Sequence, residues 1–318
     1  KPNLVRYKGV PANVIMYYAR GEQMERARQR LNKPIRELQS MIEECRTYYS
    51  DYKARECLID YDDIIKFANR LLEESADARE AVVKRYRYIL VDEFQDTSPD
   101  NFRMIKNIMP VNSGNLFIVG DDWQSIYGFR SANVDYMINV GSYFPEVKKY
   151  YLNINYRSRK EIIELSNRFI RHNRKRTRKK LISDKGEGGI VKYYNVKNGK
   201  DEVAIINKII QNEKYGEICI LYRNNWQGDF IRDSLNRCEG KNVLCMTMHA
   251  SKGLEFEVVI IAGLADAVIP DKCSPIEEER RLFYVALTRA KEKLYIIHRM
   301  ENGKNALFMS ELRIRKWL

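Results

Sequence analysis

The sequence has no apolar run long enough to cross a bilayer. Its longest, Val258 to Leu264, falls far short of the roughly 20 residues a spanning helix needs. No signal peptide or lipidation pattern is visible at its start, and the first residue is Lys1, so the natural chain is expected to begin further upstream. The six cysteines and three histidines show no paired metal-ligand spacing, which argues against structural zinc. A disulfide framework does not suit a chain of this size. Reduced thiols and a cytoplasmic location are therefore expected. No internal repeat and no long low-complexity stretch is present.

What is present is a chain of 318 residues, 44% hydrophobic and 31% charged. That composition indicates a globular protein with room for two ordinary domains. Lys and Arg outnumber Asp and Glu by 56 to 43, a net charge of +13. Such an excess favours a polyanionic partner, nucleic acid before an anionic membrane surface.

Residues 1–84 read as a helical, basic region, with apolar spacings that suggest helices at Val14–Tyr18, Met24–Leu31, Ile35–Arg46 and Ile59–Leu72. From Tyr86 the rhythm becomes strand–helix–strand. Strands are expected at Tyr88–Val91, Leu116–Val119 and around Val147–Leu152, with helices at Asn101–Met109, Val134–Tyr143 and Arg159–His172. A second series follows Gly186–Gly189, with strands at Ile190–Tyr194, Ile218–Tyr222, Val243–Thr247, Val258–Ile261 and Leu294–Ile297. Its helices are expected at Asp201–Gln211, Gly228–Arg237 and Glu278–Ala290. The fold class is α/β: two mostly parallel-sheet units, spanning 85–150 and 151–318, behind the helical N-terminal region.

Tyr88 to Thr97, YILVDEFQDT, is the richest stretch. An apolar strand ends abruptly in Asp92 and Glu93, at the carboxyl end where open α/β sheets bind ligands. Paired carboxylates there suit Mg²⁺ and the activation of water; a solvated acidic turn is the plain alternative. In VGDDWQSIYGFRSA, Gln124 follows another strand end, and Tyr127, Phe129 and Arg130 come next. Local spacing favours core positions for these two aromatics, with base-stacking platforms as the other reading. Tyr156-Arg157 in LNINYRS can offer a ring and a guanidinium, against a plain reading of a Ser158 cap beside a surface Arg. MTMHASKGLEF places Thr247, His249, Lys252 and Gly253 in a polar loop after a strand. EEERRLFYVALTRAKEK, residues 277–293, reads as an amphipathic helix carrying Arg280, Arg281 and Arg289. The run RHNRKRTRKK, 171–180, is open to two readings, a solvated loop or a phosphate contact.

Together these blocks resemble the superfamily 1 DNA helicases of the UvrD, Rep and PcrA type, over roughly residues 58–298. Trp123 in GDDWQ and the short path from Gln227 to Val243 look most similar to the helicase IV branch. The resemblance implies two RecA-like lobes, ATP and Mg²⁺ as cofactors, single-stranded or partly duplex DNA as partner, and 3′→5′ ATP-driven translocation. Asp92 would hold Mg²⁺, Glu93 activate water and Gln124 read the γ-phosphate. Tyr156 would stack on adenine, Arg157 contact the γ-phosphate, Glu255 contact the ribose and Arg289 act as the arginine finger. Tyr127, Phe129, Arg130, Thr247 and His249 would line the DNA path, with Arg223 and Asn225 as weaker candidates. Residues 1–57, basic and tyrosine-rich (Arg6, Tyr7, Lys8, Tyr17, Tyr18, Arg20), fall where the family places an accessory DNA-binding subdomain.

One departure is plain: the 318 residues contain no G-x-x-x-x-G-K-[ST] phosphate loop. Either that loop lies upstream of Lys1 or was otherwise removed, or the chain is a non-hydrolysing nucleic-acid-binding or regulatory protein on a helicase-like scaffold. Action on RNA, or an accessory role at RNA polymerase, is a third reading.

Overall fold

The structure, a computed structural model, describes residues 6–7, 10–11, 22–109, 115–235, 240–266, 268–300 and 306–312. The chain divides into two compact units, Lys1–Ala68 and Asn69–Leu318. In the first, strands β1 (Arg6–Tyr7) and β2 (Val10–Pro11) pair antiparallel. One helix, α1, runs Glu22–Arg55 with Pro34 inside it, where periodicity suggests two separate helices. Its flanks are rich in Glu, Arg, Gln and Leu, and those helix formers outweigh the roughly 3 kcal/mol a mid-helix Pro costs. Helix α2 (Tyr61–Glu74) starts two residues later than the pattern suggests, because Asp60 and Asp63 cap each other's backbone N–H at 2.9 and 3.0 Å. Lys53 Nζ donates to both carboxylates at 2.8 and 2.5 Å. The Val14–Tyr18 segment and Lys8, Tyr17, Tyr18 and Arg20 lie outside the described residues.

The second unit begins within the last turns of α2 and continues into helix α3 (Ala76–Arg85), capped by Ser75. Strands β3 (Ile89–Val91) and β4 (Leu116–Ile118) pair parallel with Val91 opposite Ile118, and α4 (Pro99–Ile108) connects toward β4 behind a Ser98 cap. The helix expected over Val134–Tyr143 is two short turns, Asp135–Ile138 and Val140–Tyr143. They part at Asn139, whose side-chain amide folds back to donate to Asp135 at 2.7 Å. No strand forms at Val147–Leu152. Tyr150 and Leu152 there are 82% and 88% exposed, and among the described residues no strand pairs with this segment. The strand lies just beyond, as β5 (Ile154–Asn155) paired in parallel with β6 (Ile182–Ser183).

Helix α5 (Lys160–Ile170) buries Ile162, Ile163, Leu165 and Phe169. Five parallel strands follow: β7 (Ile190–Val196), β8 (Glu217–Tyr222), β9 (Asn242–Thr247), β10 (Phe256–Leu264) and β11 (Ala290–Arg299). Their order is β7-β11-β10-β8-β9. The nearly unbroken apolar run of β10 is what a central parallel strand covered on both faces requires. Helices α6 (Gly199–Asn212), α7 (Asn225–Ser234), α8 (Ile276–Leu287) and α9 (Leu307–Glu311) pack around the sheet. The rings of Phe169, Phe283 and Phe308 meet at 5.1–5.4 Å between centroids and lock α5, α8 and α9 into one core.

Two boundaries move for reasons that matter below. Helix α7 begins at Asn225 rather than Gly228, because Gln227 Oε1 accepts from the N–H groups of Arg223 and Asn224 at 3.1 and 2.9 Å. Helix α8 stops at Leu287 and does not reach residue 293. The Thr288 hydroxyl donates back to the carbonyls of Tyr284 and Val285, and Ala290 enters the ladder opposite Phe256. Arg289 therefore sits in the tight turn between helix and sheet. No described helix is long and apolar enough to cross a membrane. Cys45, Cys57, Cys219, Cys245 and Cys273 are free thiols.

Candidate functional site

The acidic tip follows from the β3–β4 ladder. Val119 N–H donates to Val91 and Phe94 N–H to Val119, both at 2.9 Å, so the segments leaving the two strands are stitched together. Asp92 is exposed and its Oδ1 accepts from Glu93 N–H at 2.8 Å. Glu93 adopts the left-handed region (φ 49°, ψ 38°), which costs a non-glycine residue about 1–2 kcal/mol. That turn brings its carboxylate to Gln95 Nε2 at 2.5 Å.

From Gln95 a continuous relay crosses to the second sheet. Gln95 is buried, and its Oε1 accepts from Asp121 N–H at 2.9 Å. A Cβ on Gly120 would stand 2.4 Å from that oxygen, so the close approach requires glycine. Asp121 Oδ2 accepts from Gln124 Nε2 at 2.7 Å, and Gln124 Oε1 accepts from Arg289 Nη2 at 3.3 Å. Glu93 and Arg289, far apart in sequence, thus share one hydrogen-bonded assembly.

Arg289 is 1% exposed. Its guanidinium donates to the carbonyls of Val285 and Leu254 at 3.0 and 2.9 Å and to the Thr288 hydroxyl at 3.2 Å. None of these partners is a carboxylate. Burial, and secondarily the neighbouring Arg157 cation, bring its basicity well below the usual guanidinium range, to about 10. It stays charged at neutral pH, as a desolvated cation held in place by neutral dipoles. Arg157 donates to Glu255 at 2.6 Å and to the Thr288 carbonyl at 3.5 Å. Glu255 also pairs with Lys291 at 3.2 Å, and the Arg157 hydrogen bond holds its carboxyl below the usual range. Tyr156, beside them, is 68% exposed and presents a free ring.

A second link joins the two α/β regions. Lys252 Nζ donates to Asp96 and, at 3.2 Å, to the Gln124 carbonyl, and lies 3.5 Å from Glu93. Asp96 keeps its other oxygen buried without a partner, and burial makes its carboxyl a weaker acid than usual, against the pull of Lys252. Sequence patterning does not mark Gln95 as a site residue, and it offers Asp96 and Lys252 only as an acid near the Asp92-Glu93 pair and as a member of the polar loop after β9. Their signal is the spacing within DEFQD and the Lys of KGLEF.

The aromatic residues divide. Tyr127 packs against the core of the second sheet, with Lys252 Nζ 4.9 Å from its ring centroid. Phe129 is 65% exposed, against the core position that local spacing favours. Its ring meets His249 edge-on at 5.6 Å, and the Arg130 guanidinium lies 5.5 Å from it. Burial, aided by Arg223, pushes His249 down to about 4, so it is a neutral, half-buried ring. The Thr247 hydroxyl accepts from Ala250 N–H at 3.2 Å and shapes the same loop. Arg223 is engaged elsewhere, bidentate to buried Glu279 at 2.8 and 3.1 Å. Asn225 is exposed on the first turn of α7. Trp123 is a packing residue: 1% exposed, edge-on to Tyr284 at 5.5 Å, and donating to the Thr177 carbonyl.

A triphosphate with its cation fits the donor set present. Among the described residues no cluster of three His, Cys, Asp or Glu could hold a metal unaided. Mg²⁺ asks for less: one or two carboxylates, completed by substrate phosphates and water, and exposed Asp92 would be such a carboxylate. Two guanidiniums, one of them buried without a carboxylate, would answer the charge of the phosphates.

Family models match along the chain in the same order. The UvrD/REP helicase N-terminal domain matches residues 12–145, and the UvrD-like helicase C-terminal domain matches 150–240 and 236–301. The chain belongs to the UvrD/Rep DNA helicase family. Among curated relatives, a "Probable DNA helicase" of Mycoplasma pneumoniae is 31% identical over 82% of this chain and 52% of its own length. The ATP-dependent DNA helicase PcrA of Leuconostoc citreum is 33% identical over 62% of this chain and 27% of its own. PcrA of Staphylococcus epidermidis is 33% identical over 59% and 27%. The chain thus spans about half the length of the first relative and about a quarter of the PcrA proteins.

Proposed function

We propose that this chain carries the hydrolytic and DNA-gripping half of an ATP-driven, 3′→5′ DNA translocase, in which lobes at 85–150 and 151–318 close around one nucleotide. The observation that carries this is the Glu93–Gln95–Asp121–Gln124–Arg289 relay, ending on a buried guanidinium that no carboxylate neutralises. Retaining such a charge is unfavourable for stability alone, and its use is an anion that arrives during turnover.

ATP with Mg²⁺, when bound, supplies a phosphoryl group whose transfer to water drives the cycle. Asp92 would hold the cation, and Glu93 would take the proton of the attacking water. Gln124 would orient that water, while Arg157 and Arg289 offset the charge that builds up. Tyr156 would stack on adenine and Glu255 would meet the ribose. The phosphate-loop motif is not among the 318 residues, so hydrolysis is assigned to the protein that includes one.

Coupling to DNA follows from chain continuity. Tyr127 lies three residues beyond Gln124, and Lys252 three beyond His249. Breaking the Gln124–Arg289 and Lys252–Asp96 links would move Phe129 relative to His249. The path formed by Tyr127, Phe129, Arg130, Thr247 and His249, with Arg223 and Asn225 at its margin, would bind bases by stacking at about 1–3 kcal/mol each, without sequence preference.

The test is Glu93→Gln in the protein with its phosphate loop. DNA-stimulated ATP hydrolysis should fall at least about 100-fold, while single-strand affinity stays within about twofold of wild type. Unchanged turnover would remove the catalytic assignment.

A further inference from the structure

A cavity of about 540 Å³ opens outside the cleft, beside the basic run, lined by Arg171, Arg176, Arg178, Lys179 and Lys180 with no carboxylate among its walls. Only Lys179 is neutralised, by Asp121 at 2.5 Å and Asp122 at 3.4 Å. Arg171, Arg178 and Lys180 are exposed and have no ion-pair partner among the described residues. Arg176 is partly buried; its Nε has no hydrogen-bond acceptor. Burial, then repulsion from Arg171 and Arg178, lowers its basicity.

The loop carrying these cations is held from several sides. Thr177 N–H donates to Asp122 at 2.7 Å, Trp123 Nε1 to the Thr177 carbonyl at 3.1 Å, and Arg281 to the Lys175 carbonyl at 2.8 Å. Arg174 N–H donates to Glu277 at 2.7 Å. A solvated charge run would spread its side chains apart. This one is pinned into a concavity where like charges repel and a buried donor goes unanswered.

We propose that this cavity binds a backbone phosphate of the nucleic acid, as an anchor separate from the Phe129–His249 path. Guanidiniums match phosphate in a bidentate, charge-assisted way. Three further cations around one concavity suit a polymer of phosphates more than a single free anion. The anchor rests on the DNA reading above and extends it. Because Lys179 bridges the cavity and Asp121, an anchored phosphate also touches the turn that positions Gln124.

The experiment measures single-stranded oligonucleotide affinity against salt for the full chain, for R171A/R178A/K180A, for a charge-matched control K200A/K208A/K214A, and for F129A. Each phosphate contact contributes about −0.7 to the log–log salt slope on single strands. The anchor variant should therefore have a slope shallower by about 1.4 or more, with at least about tenfold weaker binding at low salt, while the control stays near wild type. Equal slopes for anchor and control variants, with DNA still bound, overturn the anchor and leave the DNA reading intact. No binding by the wild type overturns both. Tripolyphosphate raising the melting temperature of wild type but not of the anchor variant, with DNA affinity unchanged between them, marks a free-anion site and overturns the nucleic-acid assignment.

Discussion

Arg289→Met separates a catalytic arginine from a structural one. The fall from the usual guanidinium range to about 10 corresponds to about 3 kcal/mol of uncompensated burial. Its sign is definite: the folded protein holds this proton less tightly than the unfolded chain. The charge therefore opposes folding at every pH below about 10, and the penalty fades as pH rises beyond that toward the usual guanidinium range. Methionine removes that cost and fills the space. The Val285 and Leu254 carbonyls, the Thr288 hydroxyl and Gln124 Oε1 lose a donor, at about 1 kcal/mol each. The terms nearly cancel, and the variant should lose no more than about 1–2 kcal/mol in urea unfolding. DNA-stimulated hydrolysis, measured with the phosphate loop present, should fall about 10³–10⁵-fold, as for loss of an arginine finger. Two results would refute this: destabilisation above about 4 kcal/mol with turnover tracking only the folded fraction, or hydrolysis within about tenfold of wild type.

Other consequences follow from the same geometry. The unfolded chain protonates His249 near 6.5 and the folded one near about 4, so stability is lost as pH falls through that window. By pH 4.5 the loss is about 1–2 kcal/mol, since solvent screens this half-buried ring. In His249→Gln that loss disappears, so wild-type and variant urea midpoints should diverge between pH 7 and 4.5; parallel curves would contradict it. Lys252→Met strands the partly buried Asp96 carboxylate and should cost about 3 kcal/mol at pH 7. Adding Asp96→Asn should restore most of it in urea unfolding, and equal stabilities of the single and double variants would count against the link.

Much of the fold was legible because the periodic elements are strongly patterned. The apolar run of β10 and the charge-terminated β3 admit few alternatives. What sequence missed depended on tertiary partners. Periodicity carried α8 through Arg289, whereas the ladder with Phe256 claims Ala290 and leaves the arginine in a turn. Phe129, an apolar residue two positions from Tyr127, looked like core; its exposure is set by Tyr127 taking the inward place. Arg223, a weaker DNA candidate by resemblance, is engaged by Glu279, a partner distant in sequence that no local pattern announces. Gln95 was invisible as a site residue because its importance lies in spanning the ends of two strands, Glu93 on one side and Asp121 on the other.

The most direct measurement is a kinetic double-mutant cycle on Glu93→Gln and Arg289→Met, reading DNA-stimulated ATP hydrolysis with the phosphate loop present. If acid tip and guanidinium serve one transition state, the double variant should be no slower than the worse single variant within about tenfold, since groups acting as a unit are strongly non-additive. Penalties that multiply in full would show that the two act independently, and the single shared nucleotide site would be wrong.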